Sequence, residues 1–118
     1  MEATIAIKRL SALAQERRLA VFRLLVKAGP AGVSAGEIAR ALAITPNTLS
    51  AQLTVLANAG LVTSRRDGRS IIYAAGYDSM SELLVYLTED CCQGRPEVCA
   101  PLAALASRAA CCDQIQAA

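Results

Sequence analysis

The stretch from Ile44 to Ala75 constrains this 118-residue chain more than any other. Thr45 is a helix-capping residue type, and Pro46 follows at the first helical position, where a missing N–H costs nothing. Leu49, Leu53 and Leu56 recur at i, i+4 and i+7, a single apolar stripe of helical period. Gly60 stands where a left-handed residue ends a helix. Opposite the leucines lie Asn47, Ser50, Ala51 and Thr54, with Thr48 and Gln52 on the flanks. This outer face is small, hydrogen-bonding and uncharged, as a helix needs if it is to approach base edges in a major groove. Two short β-like runs follow, LVTS and SIIYAA, around an Asp-Gly hairpin signal. Arg65, Arg66 and Arg69 bracket that turn and make its tip cationic.

The residues before this stretch supply the partner helices. ATIAIKRLSAL (3–13) places Ala6, Leu10 and Leu13 on one stripe, and AQERRLAVFRLLVKAG places Leu19, Phe22, Leu25 and Val26 on one side before Gly29-Pro30 stops it. Ser34 precedes AGEIARAL with Glu37 three positions on, a capping box, and Ile38 and Leu42 face inward. The short link Ala43-Ile44 joins that helix to the Thr45 helix. Two short helices joined so closely, the second with a polar outer face, form a helix-turn-helix, and the hairpin adds a wing. The expected fold is therefore mainly α with a two-stranded β-wing, a winged helix-turn-helix. Phosphate contacts are expected from Arg65, Arg66 and Arg69, and base contacts from Thr45, Asn47, Thr48, Ser50 and Gln52.

Charge divides the chain in two. Residues 1–76 carry ten Lys and Arg against four Asp and Glu, and residues 77–118 carry two against six. A basic body suits a polyanion such as double-stranded DNA, and an acidic tail suits another task. The 54% hydrophobic fraction is spread through short runs, well below the roughly 20 residues of a membrane span. No segment resembles a signal peptide, so a cytoplasmic chain with reduced cysteines is expected.

A last helix begins near Tyr77-Asp78, with Met80, Leu83, Leu84 and Leu87 on its stripe and Cys91 one turn further. This helix and the first must each bury an apolar face. A two-fold homodimer pairing them satisfies both and sets two reading helices about 34–36 Å apart, matching a palindromic operator. Residues 1–90 then form the DNA-binding and dimerisation domain, and 91–118 a cysteine-rich tail.

All five cysteines, Cys91, Cys92, Cys99, Cys111 and Cys112, fall in that tail, and the chain has no histidine. No Cys-x-x-Cys pair suggests zinc. Adjacent thiols suit a soft, thiophilic centre with three ligands, such as trivalent arsenic or antimony. Cys91, Cys92 and Cys99 are the nearest such set, since QGRPEV between them contains turn-forming residues, and Arg95 favours the thiolate. The same residues also read as small buried hydrophobes or as oxidation-sensitive thiols. Enzymatic redox chemistry is disfavoured by the missing histidine, the missing Cys-x-x-Cys and the lack of a phosphate-cradling glycine loop.

These motifs resemble the ArsR/SmtB winged-helix metalloregulatory repressors, from about Leu10 to Leu87. The strongest parts are LAQERRLAVFRLL, TPNTLSAQLTVLANAGLV and RRDGRSIIYAA. Two family positions that commonly hold histidine carry Ala51 and Gln52 here, and a basic one carries Thr54. The helix before the turn, SAGEIARAL, lacks the Cys-x-Cys of some family sensors, and without histidine the zinc site of others is absent. What remains looks like arsenic-responsive members with a C-terminal cysteine site. The resemblance implies a homodimeric repressor of an arsenic-resistance operon. As(III), with Sb(III) as a second candidate, would be its inducer at Cys91, Cys92 and Cys99, or less directly at Cys111 and Cys112. Thiol oxidation and methylarsenite, which needs only two thiolates, remain as other signals for the same fold.

Overall fold

A computed structural model describes residues 1–89. Its elements in order are α1 (Ala3–Leu13), α2 (Glu16–Ala28), β1 (Val33–Ser34), α3 (Ala35–Leu42), α4 (Pro46–Asn58), β2 (Val62–Asp67), β3 (Ser70–Ala75) and α5 (Tyr77–Thr88). Met1–Tyr86 form one compact unit. The cysteine tail, residues 91–118, lies outside the described residues.

Local chemistry sets each helix boundary of the helix-turn-helix. Ser34 Oγ accepts from the Glu37 N–H at 3.3 Å and caps α3. Thr45 Oγ1 accepts from the Thr48 N–H at 3.4 Å and caps α4, with Pro46 in the first turn. Gly60, at φ +80°, follows the C-cap Ala59, so α4 ends where its glycine predicts. Between α3 and α4 the link turns through Ala43, which sits left-handed at φ 54°, ψ 46°. The position takes the conformation glycine favours, held by alanine at a steric cost.

The core forms where α2, α3 and α4 meet. Val21, Leu25, Ile38, Leu56 and Leu61 have 0% exposure, and Phe22, Leu49, Leu53 and Val62 pack with them. The leucine stripe of α4 is buried as its spacing predicts. The stripes of α1 and α2 are rotated from expectation. In α1, Ala6 and Ala12 are buried while Leu10 is 40% exposed; in α2, Val21 replaces Leu19 on the inner face. The reason in α1 is Arg9, which lies on the inward side between the two alanines. Its side chain is only 11% exposed. Nε donates to Ala59 O at 3.2 Å, Nη1 donates to Ser79 O at 3.1 Å, and Nη1 lies 3.6 Å from Glu82 Oε2. A guanidinium at the carbonyl end of α4 meets the negative pole of that helix. In α5, Leu83 is buried and Met80 packs on the core, while Leu84 and Leu87 are about half exposed.

The wing is an antiparallel hairpin of β2 and β3, and β1 adds a third, two-residue strand in the order β1-β3-β2. The segment before α3 thus pairs Val33 with Tyr73 and Ser34 with Ile72, a strand that the sequence reading does not include. Asp67 pairs with Ser70, so the hairpin loop is Gly68-Arg69 rather than Asp67-Gly68. Gly68 has φ +63°, the value that the first central position of a type II′ turn requires.

Replacing Ala43 by glycine should relieve the left-handed strain by more than it adds in chain entropy. A gain of about 0.5–1 kcal/mol is expected, read as a higher urea midpoint at unchanged m-value.

Candidate nucleic-acid interface

The buried leucines of α4 dictate what the helix presents outward. With Leu49, Leu53 and Leu56 inside, the 3.6-residue period puts Asn47, Ser50, Ala51 and Thr54 on the exposed side. Thr45 is exposed at the cap, and Thr48 is half-buried, its hydroxyl oxygen accepting from the Thr45 hydroxyl at 2.9 Å. The Thr54 hydroxyl donates to Ser50 O at 2.9 Å, so it is engaged by its own helix. The first turns of α4 therefore gather Thr45, Asn47, Thr48 and Ser50 at an exposed N-terminal end, the part of a recognition helix that meets bases.

Gln52 is set apart from these. It is half-buried, and its Oε1 accepts from Arg18 Nη1 at 3.2 Å. Arg18 also donates from Nε to Ala12 O, 2.6 Å away, and its own N–H is capped by Gln15 Oε1 at 2.9 Å. One guanidinium thereby joins the end of α1, the start of α2 and the middle of α4. The sequence contains no signal for this brace beyond an arginine in the first turn of a helix.

The wing arginines also differ in their tasks. Arg65 and Arg66 alternate across the strand, opposite Ile72 and Ile71. Arg65 Nη2 donates to Ala31 O at 2.7 Å and ties the wing to the connector before β1. Arg66 and Arg69 are exposed and, among the described residues, make no hydrogen bond or ion pair. Arg69 occupies the loop itself. Within the wing, these two are the guanidinium groups available to phosphates without breaking an existing contact.

Helix-turn-helix and wing together define a DNA-binding winged helix-turn-helix domain. A helix-turn-helix domain model matches residues 13–65. The nodulation protein NolR of Rhizobium meliloti is 33% identical over 88 residues, covering 75% of this chain and 70% of that protein. Among solved structures, HlyU from Vibrio cholerae superposes with a TM-score of 0.59 at 32% identity, covering 74% of this chain and 97% of that one. A homodimeric winged helix-turn-helix DNA-binding domain from Mycobacterium bovis, a possible ArsR-family transcriptional regulator, gives 0.61 at 31% identity, covering 74% and 80%.

The chain belongs to the ArsR family of winged helix-turn-helix transcriptional regulators. It is a regulator of transcription and not an enzyme. No described helix is long and apolar enough to cross a membrane.

Arg66→Ala should weaken binding to specific and random duplex alike, lower the salt dependence by about one unit per protomer, and leave the melting temperature unchanged. Arg65→Ala should change the salt dependence less and instead lower the melting temperature through loss of the Ala31 hydrogen bond, worth about 1 kcal/mol. Salt-titrated binding and thermal melts on the two variants separate the roles.

Proposed function

We propose that this protein is a homodimeric repressor of an arsenic-resistance operon that leaves a palindromic operator when trivalent arsenic, or antimony, binds Cys91, Cys92 and Cys99. The observation that carries the reading is the placement of sulfur. The DNA-binding domain, residues 1–90, contains no cysteine, and all five follow within the next 22 residues. The first pair begins three positions after Thr88, the last residue of α5. Three thiols displace three hydroxyls from arsenite as water and form three As–S bonds, which is the coordination that soft thiolates give a soft acceptor.

Dimerisation through α1 and α5 links that chemistry to DNA. Ile7 and Leu10 of α1 are 61% and 40% exposed, apolar surface that a second copy would cover. The dimer holds two α4 helices at a spacing of about one DNA turn. Drawing Cys99 toward Cys91 and Cys92, which follow Thr88 by three and four positions in sequence, alters α5 and, through the interface, the spacing. A coupling of about 1–3 kcal/mol per site suffices, and it is reciprocal, so operator DNA weakens arsenite binding by the same factor.

The likeness to HlyU, one structure of which is of the reduced protein, favours a second reading. In it the vicinal thiols respond to oxidation, and peroxide releases DNA reversibly.

Gel shifts on the chain's own promoter, titrated with arsenite, antimonite, methylarsenite, zinc and peroxide, test both readings. Cys91→Ser, Cys92→Ser and Cys99→Ser should each keep operator binding and abolish release by arsenite. Arsenite release in all three variants would overturn the assignment, and release by peroxide alone would move it to the redox reading. Loss of response in Cys111→Ser or Cys112→Ser, with the other three dispensable, would move the site to the later pair.

A further inference from the structure

Gln52 has a chemical orientation that its half-buried brace decides. A guanidinium carries five N–H donors and no acceptor, so only the oxygen of a neighbouring amide can face it. Arg18 Nη1 donates to Gln52 Oε1 at 3.2 Å, while Arg18 itself is anchored through Nε on Ala12 O. The two ends of a glutamine amide look alike in shape, but here the donor-only partner assigns them. The Nε2 end, with two N–H donors, is the end left to face a ligand. Gln52 also stands one helical turn after Thr48, on the same flank of α4.

We propose that the Arg18–Gln52 pair makes Gln52 read DNA through its Nε2 donors, selecting guanine over cytosine in the base pair it meets. The inference rests on the reading of α4 as the helix that enters the major groove. A glutamine with both ends free reads adenine with two bonds, its oxygen accepting from N6 and its nitrogen donating to N7. With Oε1 turned to Arg18 and one of its two lone pairs taken, that two-bond pairing is weakened. Guanine O6 and N7, thymine O4 and adenine N7 can each accept from Nε2, whereas cytosine offers only its N4 donor and confronts it donor to donor. A G·C pair places guanine and cytosine side by side in the groove, so there the preference appears as a choice of strand. Arg18 becomes a positioning residue for specificity although it need not touch DNA.

The test is selection of bound sites from a random-sequence duplex pool by the full chain. The four base pairs at each selected position are then titrated for wild type, Gln52→Ala, Gln52→Glu and Arg18→Met. Wild type should prefer guanine to cytosine on one strand at one position per half-site, by about fivefold or more, and Gln52→Ala should lose that preference. Gln52→Glu keeps one carboxylate oxygen for Arg18 and presents the other as an acceptor, so the same position should invert toward cytosine or adenine. Arg18→Met frees Oε1, and adenine should gain there. Melting curves identify a variant that does not fold, and the glutamate inversion decides the matter without Arg18→Met. A cytosine preference in wild type at the Gln52-dependent position, or no position that changes in Gln52→Ala, overturns the proposal and leaves the regulator standing. Failure of the wild-type chain to select any duplex overturns the major-groove reading of α4 on which it rests.

Discussion

The burial of Leu49, Leu53 and Leu56 against α2 and α3 is the interaction on which the rest depends. Each leucine removed from water contributes on the order of 2 kcal/mol, so the rotation of α4 about its own axis is strongly specified. That rotation alone decides which residues reach solvent, and it places the small polar set on the outside. The reading face is thus a by-product of core packing: a shift of the apolar stripe by one position would turn a different set toward DNA.

Five arginines surround this helix and its wing, and the structure gives them unlike tasks. Arg9 closes the carbonyl end of α4 onto α1 and α5, Arg18 ties its middle to the α1–α2 junction, and Arg65 fastens the wing to the connector before β1. Of these five, Arg66 and Arg69 keep their guanidinium groups free. A positive charge in such a domain is therefore not by itself a phosphate contact. A guanidinium reaches several backbone carbonyls at once because its donors fan out in a plane, which suits it to joining helix ends whose carbonyls lack partners.

The alanine at the left-handed turn between α3 and α4 shows that this geometry is imposed from outside. Nothing in the side chain of Ala43 favours φ 54°; the packing of two short helices on a common core requires it. The backbone contributes as well, since the Ile44 N–H reaches Ala39 O at 3.0 Å and closes the end of α3. The helix-turn-helix is accordingly a tertiary object, although each of its helices begins with a local capping signal.

Much of this was legible from residue order. Thr45-Pro46, the leucine stripe, Gly60, Ser34 with Glu37, and two β-like runs around a glycine all act through neighbours a few residues away, so they state the elements and the polarity of α4 directly. The apolar faces of α1 and α2 were less legible, because a helical stripe records period but not which neighbour covers it; Arg9, polar and yet inward, displaced Leu10. The third strand was hidden because two residues carry no period, and the hairpin loop moved by one residue because pairing of Asp67 with Ser70, not the Asp-Gly dipeptide, sets the register. What residue order determined by itself was a capped, one-sidedly apolar helix followed by an arginine-bearing hairpin, since those features depend on local conformational energy. What only the tertiary structure decided was which arginines are committed, and that the oxygen of Gln52 is already held, since contacts between residues 34 positions apart exist only once the helices have packed.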